Sequence, residues 1–279
     1  MFISKQKTVV KSSLLKRFYA IRQSYGLLAA LQKTVTLPLR RLRNYRVRKT
    51  IKKYKTAEER FTRIYKHNLW GSEISASGTG STLEHTKALR EALPKLFKSY
   101  DIQTIFDAPC GDFHWMKDVL SNSDFKYIGA DIVRPMIEHL KKSETTDNVQ
   151  FHHLDITKAH YPKADLMICR DCLFHLSFKD TLGVLQRFIN SEIQFLLTTT
   201  HTPETVSRNT DIETGDFRHI NLLEQPYCFP KNYLLEIDDW LPPEGRRYMY
   251  LWDRDQIKIA LAELTKFLIK RDNSEQLVA

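Results

Sequence analysis

The stretch from Phe106 to Trp115, FDAPCGDFHW, decides how this chain folds. Its first residues close an apolar run, IQTIFD (102–107), that reads as a strand. Its last residues open FHWMKDVL (113–120), which reads as a helix. A strand that turns tightly into a helix aims unpaired N–H groups at one point, and such a turn makes an anion or nucleotide site. Turns of this kind usually carry three glycines. Here Pro109 and Phe113 stand at the outer positions and only Gly111 remains. Gly111 is the position where backbone comes closest to a ligand, so its retention matters most. A pyrophosphate needs close passage, which Pro and Phe obstruct, so the turn weighs against a dinucleotide.

Outward from this turn the pattern alternates. FKYIGAD is a strand and PMIEHLKKS a helix; NVQFHHLD and ADLMICR are strands, FKDTLGVLQRFINS a helix and IQFLLTTT a fifth strand. Short apolar strands alternating with helices predict a parallel sheet covered on both faces. YLLEID and RRYMYLW follow with no helix between them, which predicts an antiparallel hairpin at a sheet edge. DQIKIALAELTKFLIKR closes the chain as a helix.

Of 43 Lys and Arg, 16 lie in residues 1–57, which hold no Asp or Glu. The remaining 27 face 33 acidic residues, so an acidic body carries a basic arm. In the arm, Leu14, Phe18, Ile21, Tyr25 and Leu28 fall at helical steps beside Lys16, Arg17 and Arg22. A helix on an anionic membrane surface, a solvated arm and a targeting peptide share this pattern. No run is long and apolar enough to cross a bilayer, and no secretory signal is expected. The arm (1–57) is followed by a Gly/Ser loop and helix (58–100) and by the alternating domain (101–279). In the loop, NLWGSEISASGTGSTLEHT, Ser81 and Glu84 have capping-box spacing for a helix into TKALREALPKLF. Cys169 and Cys172 form a lone CxxC without a second pair, so no metal site is expected and the thiols are expected reduced.

Ligands of such sheets bind beyond the carboxyl ends of the strands. Asp107, Asp131 and Asp155 end the first three strands. Asp131 lies at the interval expected of a carboxylate that accepts from a ribose, and Asp155 is placed for an adenine amino group. A single such Asp is often a turn residue; three in succession suggest one ligand.

With FDAPCGD, YIGADI, LDIT and DLMICRDCLFHLS the chain resembles the class I S-adenosylmethionine-dependent methyltransferases over roughly residues 68–252. More narrowly it resembles a bacterial branch with a D-x-PCGDF-x-W turn. The resemblance implies a Rossmann-like α/β fold, a seven-stranded, mostly parallel sheet with helices on both faces, here with an N-terminal helical extension. It implies S-adenosyl-L-methionine as cofactor, a ligand without phosphate that tolerates the bulkier turn. Asp107, Cys110 and Gly111 would border its amino-acid part, Asp131 its ribose, and Ile132, Asp155 and Ile156 its adenine. Trp70 with Ser77, Gly78 and Ser81 would close over the methionine end, with Arg90 near its carboxylate, and Arg170 would line the site.

CRDCLFHL leaves the fourth strand beside the expected sulfonium. His175 is the candidate general base and Asp171, four residues earlier, its orienting carboxylate if the helix has begun. A structural His175 is the alternative, and His114 and His201 are further candidates. The polar stretch THTPETVSRNTDIETGDFRHINL, with Asn209, Asp211, Arg218 and Asn221, is expected to help form the acceptor pocket. The expected acceptor is a sugar, a glycan or another polar small molecule. Peripheral contact with an anionic membrane through residues 1–55 is expected for the arm, at the cytoplasmic face. The alternative is an RNA methyltransferase that grips phosphates with the arm.

Overall fold

In this computed structural model, residues 45–121, 124–242 and 244–276 are described, together with residues 22, 27, 31 and 42. Most of the arm, including its amphipathic stripe, lies outside them. Residues 45–53 are helical. The body continues with α1 (Ala57–Lys66), α2 (Lys87–Ser99), β1 (Thr104–Asp107), α3 (Met116–Leu120), β2 (Lys126–Asp131), α4 (Arg134–Ser143) and β3 (Val149–His153). Then come β4 (Leu166–Cys169), α5 (Phe178–Ile189), β5 (Phe195–His201), β6 (Leu235–Asp238), β7 (Arg247–Asp253) and α6 (Arg254–Gln276).

The strands form one seven-stranded sheet in the order β3-β2-β1-β4-β5-β7-β6. The first five run parallel, while β7 pairs antiparallel with both β5 and β6. The order reverses between β1 and β4, and the carboxyl ends of β1, β2 and β4 open there on one side. This is where an open α/β sheet places its ligand.

Strand alternation builds the two apolar layers. Ile105, Leu166 and Ile168 face one way, with Leu93 and Phe97 of α2 and Ile137 of α4. Phe106, Met167 and Cys169 face the other, with Leu185 and Phe188 of α5 and Ile257 and Leu264 of α6. Both faces of the central strands are therefore covered, which is why these strands read as continuous apolar runs.

Several element boundaries differ from the sequence reading; β3 ends at His153, so Asp155 lies two residues past the strand rather than at its end. The helix expected to open at Ser81 begins at Lys87 after Thr86, and Thr79–Ser81 is a single 3-10 turn. The Thr82 hydroxyl pairs instead with the His85 ring at 2.9 Å, and the Thr86 hydroxyl donates back to the Thr82 carbonyl. Such local side-chain bonds compete with a helix start. The capping box is at Thr56 and Glu59, opening α1. The helix after the β1 turn starts at Met116 rather than Phe113, because Phe113 has a φ of 61° and cannot be a helical residue.

Candidate active site

The turn after β1 keeps a glycine-type backbone without all its glycines. Gly111 (φ 56°) and Phe113 (φ 61°) both occupy the left-handed region. For Phe this costs roughly 1–2 kcal/mol. The Phe113 ring is buried against Tyr127 and Phe151, at centroid distances of 5.0 and 5.1 Å, and that packing offsets the strain. Asp107, at the end of β1, is buried and accepts from the Tyr127 hydroxyl at 2.8 Å. Burial raises its pKa to about 7 against that bond. Cys110 is buried beside it and donates its N–H to the Ala130 carbonyl, tying the turn to β2.

Asp131 ends β2 and reaches back to the turn. Its Oδ2 accepts from Gly111 N at 3.2 Å and its Oδ1 from Val133 N at 2.9 Å. Burial raises its pKa to about 6 even so. A buried carboxylate whose charge is under-compensated favours further donors. Ile132 follows, half-buried against the core, and its carbonyl accepts from His153 Nε2. Ile156 is buried after β3. The Asp155 carboxylate accepts from Thr157 N (3.0 Å) and Oγ1 (2.7 Å) and pairs with Lys158, the pattern of an Asp that caps its own turn.

The Gly/Ser loop is fastened at two points. Asp112, in the turn itself, accepts from Ser75 Oγ, Ala76 N and Ser77 Oγ at 3.1, 2.7 and 3.2 Å. Ser77 Oγ in turn accepts from Asp112 N at 2.8 Å. Further along, Arg170 Nη2 donates to the Gly80 carbonyl at 2.8 Å. The loop therefore spans from the β1 turn to the end of β4, with Gly78 between the two fastenings and Ser81 just past the second. Arg90 pairs with Asp118 and the Leu83 carbonyl.

Arg170 belongs to a buried charge network at the carboxyl edge. Its guanidinium grips Asp239 with two bonds of 2.8 and 3.1 Å, and its Nη1 lies 3.4 Å from Asp171. Arg247 completes the network, 3.2 Å from Asp171 and donating its Nε–H to the Asp239 carbonyl. Burial pushes the Asp171 carboxyl up, but the two guanidinium groups outweigh it and hold it below its usual range. Asp171 has φ 52°, and a single 3-10 turn begins only at Leu173. Asp171 and His175 thus do not share a helix face: the carboxylate goes to the two arginines, and the imidazole has a different partner.

That partner is the Asp216 carbonyl, 2.8 Å from His175 Nδ1. A carbonyl only accepts, so Nδ1 carries the proton and Nε2 is the basic nitrogen. Burial lowers the His175 pKa, keeping the ring neutral. Phe61, Trp70, Phe174 and Phe217 surround it, with ring centroids 6.4, 6.4, 4.7 and 5.7 Å away. His201 is more deeply buried, its pKa lowered to about 3 chiefly by burial. His114 is half-buried on the turn after β1.

The long polar stretch after β5 spends its polar side chains internally, against expectation. The Asn209 amide donates to the carbonyls of Asn221 and Gln225, and Arg218 donates to the Leu176 carbonyl and the Tyr227 hydroxyl. Asp211 accepts from Phe178 N and pairs with Arg271. A long segment without repeating secondary structure leaves main-chain groups unpaired, and these side chains satisfy them. The groups that reach the edge are instead the rings of Phe61 and Phe217. Asp112, Asp239, Arg247, Phe61 and Phe217 carried no spacing signal, because their partners are distant in sequence. The cysteines are free, with Cys169 and Cys172 both in the core, and no cluster able to hold a metal ion occurs among the described residues.

Residues 105–191 match the family model of a methyltransferase domain. No curated protein matches the sequence. Among solved structures, the chain is similar to a SAM-dependent methyltransferase from Leishmania major, at 14% identity and a TM-score of 0.54, over 71% of this chain and 83% of that one. It also aligns with magnesium protoporphyrin IX methyltransferase from Synechocystis PCC 6803 with bound SAM, at 10% identity and a TM-score of 0.49, over 72% of this chain and 98% of that one. The stretch similar to a methyltransferase domain, residues 105–191, runs from β1 to the end of α5 and holds Asp107, Gly111, Asp131, Asp171 and His175.

Proposed function

We propose that this enzyme methylates a hydroxyl of a sugar, a glycan or a similar polar acceptor, with His175 as general base. The observation that carries this reading is the fixed tautomer of His175. Its Nδ1 proton is committed to the Asp216 carbonyl, so Nε2 is available to take a hydroxyl proton. A neutral ring is the form that can do so, and burial favours it. The rings of Phe61, Trp70 and Phe217 around it suit the apolar face of a sugar ring.

The residues present fit the cofactor. Asp131 combines burial with a raised pKa, and ribose hydroxyls are the donors it lacks. Asp107, Cys110 and Gly111 form the turn beside it, and the doubly fastened loop with Ser77 covers the turn. S-adenosylmethionine, when bound, supplies an activated methyl group on a sulfonium. The chain's own contribution is to hold the acceptor in line, to exclude water and to accept one proton at His175 Nε2. Incubation with labelled donor and a panel of free and lipid-linked sugars, read by mass spectrometry, tests this. A methylated sugar hydroxyl that disappears with His175→Ala supports it; transfer only to RNA overturns it.

The arm suits an anionic lipid surface. It carries 16 basic residues and no acidic ones, and the helical positions Leu27 and Leu31 are exposed, one helical turn apart. No helix among the described residues is long and apolar enough to cross a membrane, so contact would be peripheral. Sedimentation with anionic vesicles at low and high salt tests this. Failure to pellet, with a gel shift of RNA instead, would transfer the arm to nucleic acid.

A further inference from the structure

His175 is oriented by a backbone carbonyl, so whatever holds that backbone holds the base. The segment from Glu213 to Arg218 runs beside Phe174 and His175. Gly215 N donates to the His175 carbonyl at 2.8 Å and Arg218 N to the Phe174 carbonyl at 3.2 Å. From the inner side, Thr214 Oγ1 accepts from Ser177 N at the start of α5 and donates to Asp180. From the outer side, the segment is held by residues at and just after the end of the basic arm.

Arg60 of α1 is the centre of that outer contact. It is only 8% exposed, and each of its three nitrogens has a different oxygen. Nε donates to the Tyr54 carbonyl at 2.7 Å, Nη1 to the Thr214 carbonyl at 2.8 Å, and Nη2 pairs with Glu213. One guanidinium thus joins the last turn before α1 to the two residues preceding Gly215 and Asp216. Ile51, 3% exposed, packs on the same place: a Cβ on Gly215 (φ 103°) would lie 3.4 Å from Ile51 Cγ1 and 3.5 Å from Arg60 Cβ. Arg48 adds an exposed ion pair to Asp216 at 3.6 Å, of little energetic weight. Phe61, the next residue of α1, supplies one of the rings against His175.

We infer that Arg60 is a positioning residue for His175, and that residues 45–54, the end of the basic arm, belong to the support of the base. The inference rests on the reading of His175 as the base. Its consequence is that the arm is mechanically continuous with the catalytic edge. A partner that moves the helical residues 45–53 moves the carbonyl that selects the His175 tautomer. Arg fits the position because its planar fork reaches three oxygens in different directions, which a lysine ammonium on a single stem does not reproduce.

Long-range proton–nitrogen correlation of the histidine rings in the full chain tests this, with the His175 signals assigned from the His175→Ala spectrum. In the unmodified protein His175 is expected as one tautomer, protonated on Nδ1. In Arg60→Gln the Nδ1-protonated share is expected to fall at least about twofold, as the ring returns to the mixture a free imidazole adopts. Affinity for S-adenosylmethionine, measured by calorimetry, is expected to stay within about a factor of two, since Arg60 touches neither the turn nor Asp131. Ile51→Ser and Glu213→Gln are expected to shift the tautomer in the same direction by less, and they decide the matter if Arg60→Gln does not fold. An unchanged tautomer in folded variants, or an unmodified His175 protonated on Nε2, overturns the inference. A tautomer that follows Arg60 while His175→Ala leaves methyl transfer intact upholds the link and overturns only the reading of His175 as base.

Discussion

The Ser77 hydroxyl occupies the space that a side chain at Gly111 would need: a Cβ there would lie 2.2 Å from Ser77 Oγ. The same hydroxyl accepts from Asp112 N, so the loop and the β1 turn meet as one surface. Gly111→Ala must therefore turn the Ser77 hydroxyl off Asp112 or push the loop away, and it strains a backbone with φ 56°. Its affinity for S-adenosylmethionine is expected to fall at least about tenfold, with the fold retained. Calorimetry against the parent protein measures this, and an unchanged affinity would mean that the loop closes independently of the turn.

Asp131→Ala is expected to weaken S-adenosylmethionine binding by about 1.5–3 kcal/mol, the loss of a charged acceptor to buried hydroxyls. Binding should also weaken as the pH falls through about 6, where the carboxyl gains its proton. In the variant that acid-side loss should be absent. A titration series across this range checks both, and affinity equal to the parent's at neutral pH would place the ribose elsewhere.

Burial raises the pKa values of Asp107 and Asp131 to about 7 and about 6, from the usual carboxylate range near 4. Between these values the folded protein binds protons that the unfolded chain does not. The two groups therefore make stability fall as pH rises from about 4 to about 7, the opposite of an ion-paired carboxylate. Asp107→Asn keeps an acceptor for the Tyr127 hydroxyl without a charge to bury. The melting temperature of the cofactor-free variant is expected to gain on the parent steadily across that interval. A constant difference between the two curves would show that Asp107 is already ionised in the folded state.

His175→Ala is expected to lower turnover by roughly 10²–10⁴ with cofactor affinity nearly unchanged. Asp171→Asn should act differently, because Asp171 holds Arg170 and Arg247 and not the imidazole. Removing its charge leaves two buried guanidinium groups short of a partner, and a destabilisation of about 2–4 kcal/mol is expected. Chemical denaturation and single-turnover rates on both variants separate the effects. A stable Asp171→Asn with slow turnover would return Asp171 to the chemical step.

Much of the sheet was legible in the sequence because its signals are local. Apolar runs at strand length, helical spacing between them and acidic residues at the strand ends are all set within a few residues of one another. FDAPCGDFHW announced the strand-to-helix turn after β1, and YLLEID with RRYMYLW announced the antiparallel edge. Residues such as Asp107, Gly111 and Asp131 could be singled out because each sits at a strand end or a turn that the pattern itself marks. What tertiary structure alone decided are the pairings across large sequence distance: Arg170 with Asp239, Ser77 with Asp112, His175 with Asp216, Arg60 with Thr214. No spacing rule connects such residues, because a loop can bring any two of them together and only the packed core selects which. The same reason explains Asn209 and Arg218. A sequence marks them as polar, but whether a polar side chain meets a ligand or a stranded carbonyl depends on where the chain has left its own backbone unpaired.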